Sequence, residues 1–318
     1  MRPVIMHKYA PDSRSEWLEY RNTLFHGPYL GGSEAPVVMG LIQQKSPALL
    51  MAEKLEMVEK EDVGRITRVR LGIQLEDFVA RETARELGLR IRRCNRIHQS
   101  SSNSFMVASV DREIVGSKAG MEIKTASAPG VVKRYGDSGT GKVPESVYAQ
   151  CQHYMAVMGW EWMVVGVFLM PLPETRHYII PSDEEFQHKL VQKEERFINL
   201  FKEGRLPHLD GTDGSTELVR RNGKACIEGM LDAKEHHRML AKKLVQFDSA
   251  VKKLEQRKKA LENRLKFEIG EAEGIEGICS WREYQRECLD NKLFRKEHPE
   301  LFSRYKKQST QRRFKLLE

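Results

Sequence analysis

Residues 105–125, FMVASVDREIVGSKAGMEIKT, constrain the chain more than any other stretch. Phe105 to Asp111 alternates apolar with small residues and ends on a carboxylate, and Ala119 to Thr125 puts Glu122 and Lys124 on one face with Ile123 on the other. The segment therefore predicts two β-strands joined by a short Gly-containing turn. Such a hairpin brings the heads of Asp111, Glu122 and Lys124 to one strand end. Two acidic side chains can hold a hard divalent cation such as Mg²⁺, and a lysine beside it can orient or deprotonate a water, which is equipment for hydrolysing a phosphodiester. The bare D-x10-E-x-K pattern is not specific, and a solvated hairpin of alternating charge satisfies it as well.

The rest of the composition permits this chemistry. With 318 residues and 40% hydrophobic content, the chain can build one large domain or two ordinary ones around a buried core. The formal charge of +8 is uneven: from Met230 onward 22 Lys+Arg face 15 Asp+Glu, leaving 31 against 30 before it. A basic last third points to a polyanionic partner, of which nucleic acid is the commonest. Cys94, Cys151, Cys226, Cys279 and Cys288 never form a CxxC pair, which disfavours a disulfide framework or a zinc site and fits a reducing cytoplasm. No apolar run reaches membrane-spanning length and the N-terminus lacks a signal-peptide core, so membrane insertion and secretion are disfavoured.

Along the chain, Ser13 to Asn22 reads as a Ser-capped helix carrying Trp17 and Arg21. In LGGSEAPVVMG the Ser33 side chain can cap a helix starting at Glu34, and Gly-Gly-Ser before a helix exposes backbone N–H groups suited to a phosphate. Residues 63–88 predict a long helix with Ile66, Val69, Ile73, Phe78, Val79 and Ala84 on one broad face, Glu76 in its middle and Gly88 as its stop. Lys133 to Pro144, a Gly/Ser-rich stretch containing Lys133 and Arg134, reads as a mobile loop able to line a DNA groove; its GTGK lacks the spacing of a P-loop. Glu145 to Gly159 predicts a helix with Gln150 and Tyr154 on one face. Trp162 to Met170 and Thr175 to Ile180 read as interior strands, and Ser182 to Lys202 as a capped amphipathic helix. The expected fold class is α/β: a mixed sheet flanked by helices, followed by a helical extension.

Composition shifts at Gly204 to Thr216, so the expected domains are 1–205, a linker at 206–230, and 231–318. In the last of these Leu240, Leu244, Phe247, Val251, Leu254, Leu261 and Leu265 recur at four and three, with Lys258 in the missing seam position. That predicts a helical arm of about 35 residues, roughly 50 Å long, which pairs with another chain or folds back on residues 281–307. Trp281, Phe294, Phe302 and Tyr305 fall on short amphipathic helices, and Arg304, Lys306, Lys307, Arg312 and Arg313 form a basic end suited to phosphates without sequence readout.

Six signals occur in one order: Trp17 with Arg21, GGSEA at 31–35, Glu76 in LEDFVARE, SVD at 109–111, EIK at 122–124, and Gln150 with Tyr154 in QCQHY. Together they resemble the YqaJ-type viral recombinase family, lambda-exonuclease-like nucleases of the PD-(D/E)xK superfamily with a restriction-endonuclease-like core. The resemblance covers roughly residues 14–205, and the stretch from Trp281 to the C-terminus also resembles the tail after a coiled coil in many such proteins. It implies that Asp111, Glu122 and the Ile123 carbonyl hold one or two Mg²⁺ or Mn²⁺ ions, that Glu76 holds a water of the metal shell, and that Lys124 positions the attacking water. Gln150 and Tyr154 match the QxxxY signature of nucleases that process DNA ends. Arg21, Ser33 and Ser109 correspond to a 5′-phosphate pocket. The implied activity is processive 5′ to 3′ digestion of one strand of duplex DNA in a bacterial host cytoplasm, by a phage or prophage protein working as a homo-oligomer with a single-strand annealing partner. Competing readings are a structure- or site-specific endonuclease of the same core and an inactive DNA-binding coiled-coil protein. An iron–sulfur repair nuclease needs four grouped cysteines, and the core holds only Cys94 and Cys151.

Overall fold

The strand Trp162–Leu169 reads WMVVGVFL because helices cover both of its faces, as expected for a strand inside a flanked sheet. The computed structural model describes residues 3–8, 14–61, 64, 66–171, 173–223, 230–307, 314 and 316. The chain forms two units, residues 1–226 and 227–318.

In the first unit the order is β1 (Val4–Lys8), α1 (Arg14–Phe25), β2 (Leu30–Gly31), α2 (Ala35–Val38), α3 (Pro47–Lys54), α4 (Thr67–Glu86), β3 (Ile91–Arg93), β4 (Arg96–Gln99), β5 (Met106–Ala108), β6 (Arg112–Ile114) and β7 (Ala119–Ala126). It continues with α5 (Pro129–Val132), α6 (Glu145–Met158), β8 (Trp162–Leu169), β9 (Glu174–Pro181), α7 (Glu184–Lys202) and α8 (Asp213–Asn222). A five-stranded sheet runs β3-β6-β7-β8-β9 and a four-stranded sheet β1-β4-β5-β2. In the larger sheet β7 and β8 are parallel, joined by a crossover through α6, and the other pairs are antiparallel. The expected mixed sheet with flanking helices is therefore present.

Strand alternation sorts the side chains. Met163, Val165, Val167 and Leu169 of β8 bury against Val147, Cys151, Met155 and Val157 of α6. Met121 and Ile123 of β7 and Val164 of β8 bury against Val79, Ala80 and Ala84 of α4. Gly166 lets α4 come close: a Cβ there would stand 2.6 Å from the Thr83 hydroxyl. Because Ile123 turns toward α4, its neighbours Glu122 and Lys124 turn toward α6.

Several expectations are corrected. Only Met106–Ala108 of the 105–111 stretch is a strand, and it lies in the smaller sheet; the hairpin pairs β6 with β7. The chain changes sheets after Ala108, and at Asp111 a carboxylate oxygen, not a backbone carbonyl, accepts the Ile123 N–H at 2.8 Å. Phe78 is 50% exposed, since the inner face of α4 is set by Val79, Ala80, Thr83 and Ala84. The strand β9 is a sheet edge, which its half-exposed pattern reflects. Ser33 caps nothing: α2 starts after Glu34, whose carboxylate accepts the Gly31 N–H at 2.8 Å. The loop after β7 is tied down, with Tyr135 buried and Gly139 N donating to the His177 carbonyl. Residues 212–222, inside the stretch read as linker, form a Thr212-capped helix that buries Leu218 against Ala48, Leu49 and Ala52. The Ser13 cap, Val63, Cys226, Arg312 and Arg313 lie outside the described residues. Gly88, at φ +64°, ends α4 as expected.

In the second unit α9 (Glu235–Ile269) is the expected arm, followed by β10 (Gly274–Ile275), β11 (Cys279–Ser280), α10 (Asn291–Glu297) and α11 (Pro299–Tyr305). Trp281 lies in an irregular stretch after β11 and not on a helix as expected, and it is 50% and Tyr305 76% exposed. No helix of the described residues is long and apolar enough to cross a membrane.

Helix α7 docks through a buried pair. His153 Nδ1 lies 2.8 Å from Glu194 Oε1, and His153 Nε2 lies 3.0 Å from the Val107 carbonyl. Burial lowers the histidine's affinity for its proton, but Glu194 and the Val107 carbonyl raise it further than burial lowers it, above the ordinary 6.5. A raised folded-state value means the contribution is complete below the unfolded value and is lost as pH rises through the folded one. Glu194→Gln is expected to cost on the order of 2 kcal/mol in urea unfolding. The gap from wild type should narrow as pH climbs above about 6.5.

Candidate active site

Two carboxylates meet where β6 begins and β7 passes. Asp111 sits in the bend before β6, anchored by its bond to the Ile123 N–H, and Glu122 points from β7 toward α6 with only 4% of its surface exposed. One oxygen of Glu122 is fully engaged: Oε1 accepts from Lys124 Nζ at 2.6 Å and from Gln150 Nε2 at 2.7 Å. The other, Oε2, is buried with no hydrogen-bond partner. Lys124 Nζ also donates to Gln150 Oε1 at 2.9 Å, and Gln150 Nε2 reaches the Tyr154 hydroxyl at 3.1 Å. The four residues form one network because Gln150 and Tyr154 are a turn apart on α6.

The electrostatics follow from crowding. Burial, then the Glu122 charge, then Glu76 push the Asp111 carboxyl well above the usual range, against the opposing pull of the Ile123 N–H and Lys124. Burial would strip the Lys124 proton, but Glu122 overcompensates and holds the side chain as an ammonium. Burial together with Glu122 and Asp111 keeps the Tyr154 phenol protonated. A buried, partnerless carboxylate oxygen beside a second carboxylate is a site lacking positive charge. A hard divalent cation supplies that charge, so the donor set fits such an ion.

A cleft of about 270 Å³ opens here between α4 and β7, lined by Glu76, Asp111, Glu122, Ile123 and Lys124, with Val69 and Ile73 as its apolar wall. Glu76 is held there by a residue that the sequence did not single out. Arg112, 3% exposed, bonds Glu76 Oε1 at 2.7 Å and Asp77 Oδ1 at 3.1 Å. The signal was an arginine directly after the candidate Asp, on a strand whose alternation turns it to α4.

A second group lies beside the GGSEA segment. Arg21 donates to Ser33 Oγ at 3.0 Å and stacks over Trp17, whose indole N–H donates to Ser109 Oγ at 3.1 Å. Arg21, Ser33 and Ser109 are thus brought together, with Trp17 as the bridge. Gly32 joins this group to the first: a Cβ there would stand 2.4 Å from the Tyr154 ring, so only glycine lets the segment lie against it. Buried Lys54 fixes the segment from below, donating to the Phe25 and Tyr29 carbonyls at 2.7 and 2.9 Å and pairing with Glu34 at 3.1 Å. Nothing in PALLMAEK marks that lysine as buried. Lys133 and Arg134 are exposed after α5 and join neither group. Elsewhere Cys94, His98 and Glu113 bring potential ligand atoms within 4.8 Å of one another, but Glu113 is already paired with Arg92 and accepts from the Cys94 thiol.

Two carboxylates, an ammonium and a glutamine amide thus share one strand end, a donor set that fits a hard divalent cation. Residues 16–161 match the family model described as YqaJ-like viral recombinase domain. It is 29% identical over 326 residues to "Uncharacterized protein YqaJ" of Bacillus subtilis (strain 168), covering 100% of this chain and 98% of that protein. Among solved structures it is similar to an alkaline exonuclease from Laribacter hongkongensis, at 16% identity and a TM-score of 0.46, covering 65% of this chain and 96% of that one. It is also similar to a phage related exonuclease from Haemophilus somnus 129PT, at 14% identity and a TM-score of 0.42, covering 57% and 99%.

Replacing Gln150 by Leu keeps the volume but removes the donor to Glu122 Oε1 and the acceptor of Lys124. The expected loss is about 2 kcal/mol of stability, read from the urea midpoint at unchanged slope.

Proposed function

We propose that this protein is a metal-dependent deoxyribonuclease that digests one strand of a DNA duplex processively from its 5′ end, leaving a 3′ single-stranded tail for phage-type recombination by strand annealing. The observation that carries the reading is the partnerless Glu122 Oε2 beside Asp111, next to a lysine held as an ammonium. Asp111, Glu122 and the Ile123 carbonyl would hold one or two Mg²⁺ or Mn²⁺ ions, with Glu76 holding a water of the metal shell. When bound, such an ion polarises the scissile phosphate and lowers the pKa of a water in its shell.

The side chains do the rest. Lys124 orients the attacking water and offsets negative charge that builds up on the phosphate. Gln150 fixes both Glu122 and Lys124, so the carboxylate and the ammonium keep their spacing while substrate enters. Tyr154 presents a neutral phenol beside the strand. Arg21, Ser33 and Ser109 supply a guanidinium and two hydroxyls for a terminal 5′-phosphate, which would set the polarity of digestion. Lys133 and Arg134 would contact the DNA backbone without reading sequence. A homo-oligomer and a single-strand annealing protein are the partners this reading implies.

End-labelled linear duplex, with and without a 5′-phosphate, incubated in Mg²⁺ or EDTA, tests these statements together. The 5′-phosphorylated strand should shorten in Mg²⁺ only, and Asp111→Ala should abolish digestion while leaving DNA affinity within about tenfold. Unchanged digestion by that variant would overturn the site. Arg21→Ala should cut the rate on 5′-phosphorylated ends on the order of tenfold and leave unphosphorylated ends unaffected. Degradation of a supercoiled circle at a rate comparable to linear DNA would favour the endonuclease reading instead.

A further inference from the structure

We infer that α9 pairs with the α9 of a second copy of this chain as a parallel, two-stranded coiled coil. The inference does not depend on the nuclease reading.

The helix is 35 residues long and continuous. Its apolar residues form one seam, Leu240, Phe247, Leu254 and Leu261 at d with Leu244, Val251 and Leu265 at a, and every one of them is exposed, from 37% at Leu244 and Leu265 to 67% at Phe247. A seam sustained over four heptads is specific for helix pairing, and a helix in water depends on packing such a face. Among the described residues nothing covers it.

The flanking charges identify the occupant. The g positions are Lys243, Ala250, Arg257 and Arg264, and the e positions are Ala241, Asp248, Glu255 and Glu262. Every charged g is basic and every charged e acidic. In a parallel pair each g faces the e five residues further along the partner, which sets Lys243 against Asp248 and Arg257 against Glu262 in both directions. An antiparallel pair sets g against g and e against e, so it places like charges together in any register. The chain is therefore complementary to itself in one orientation. Lys258 occupies an a position, a device that favours two strands and a fixed register at some cost in stability. Its Nζ leans 3.7 Å from Glu262 Oε1 of its own helix, which draws the charge out of the seam.

The test uses the full-length protein. One variant reverses g (Lys243→Glu, Arg257→Glu, Arg264→Glu) and another reverses e (Asp248→Lys, Glu255→Lys, Glu262→Lys), with helix content checked by circular dichroism. Sedimentation equilibrium should show self-association weakened by about tenfold or more in each variant alone, and restored when the two are mixed. Leu240→Cys should give a 240–240 disulfide, identified by peptide mass, because only parallel helices juxtapose the same residue near one end. Three results would overturn the inference: association unchanged by either reversal, no recovery on mixing two helical variants, or no 240–240 disulfide where a mixture of Leu240→Cys and Leu265→Cys chains gives a 240–265 one. Capture of the nuclease unit or of DNA by the seam would appear as the first of these.

Discussion

The bond between Glu122 and the Lys124–Gln150 pair is the interaction on which the rest of the first unit depends. A carboxylate 4% exposed on a central strand is costly unless its charge is answered, and here a lysine two residues along and an amide from α6 answer one oxygen. That arrangement needs β7 parallel to β8, since the crossover through α6 is what brings Gln150 over the strand. It also needs α4 close on the opposite face, because Ile123 must be buried for its neighbours to face α6. The core is thus built to present an incompletely satisfied charge.

The local rules explain which parts could be read from residues alone. EIK at 122–124 carried its own orientation through strand alternation, and Gln150 with Tyr154 did so through helical spacing, so this part of the site was legible. Asp111 stands in a bend beside Glu122 and not on the expected strand, since a side chain standing in for a backbone acceptor leaves no mark in the alternation pattern. The parts played by Arg112, Lys54 and Gly32 leave no local mark, although the Gly-Gly-Ser segment itself stands out in the sequence. Their roles depend on what lies across from them in space: a helix remote in sequence, two carbonyls of a loop, a tyrosine ring. Edge and interior strands also look alike until the neighbours are known, so β9 reads as interior in the sequence and lies at an edge of the sheet.

The second unit shows the opposite balance. Its long helix was legible in length and in seam, because a heptad repeat is a local pattern that no tertiary neighbour has to confirm. The aromatic residues after it were not, since Trp281 and Tyr305 stay exposed among the described residues despite a pattern that asks for burial.

The loop between β7 and α6 has an effect beyond the site it follows. Ser138 and Gly139 engage both the N–H and the carbonyl of His177, and the Gly136 carbonyl accepts from the Arg176 and Tyr178 side chains, so the loop is fastened along the outer rim of the sheet and occupies backbone groups there. A bare rim would be a template on which one molecule's sheet could grow into the next. A loop hydrogen-bonded across that rim takes the place an intruding strand would need.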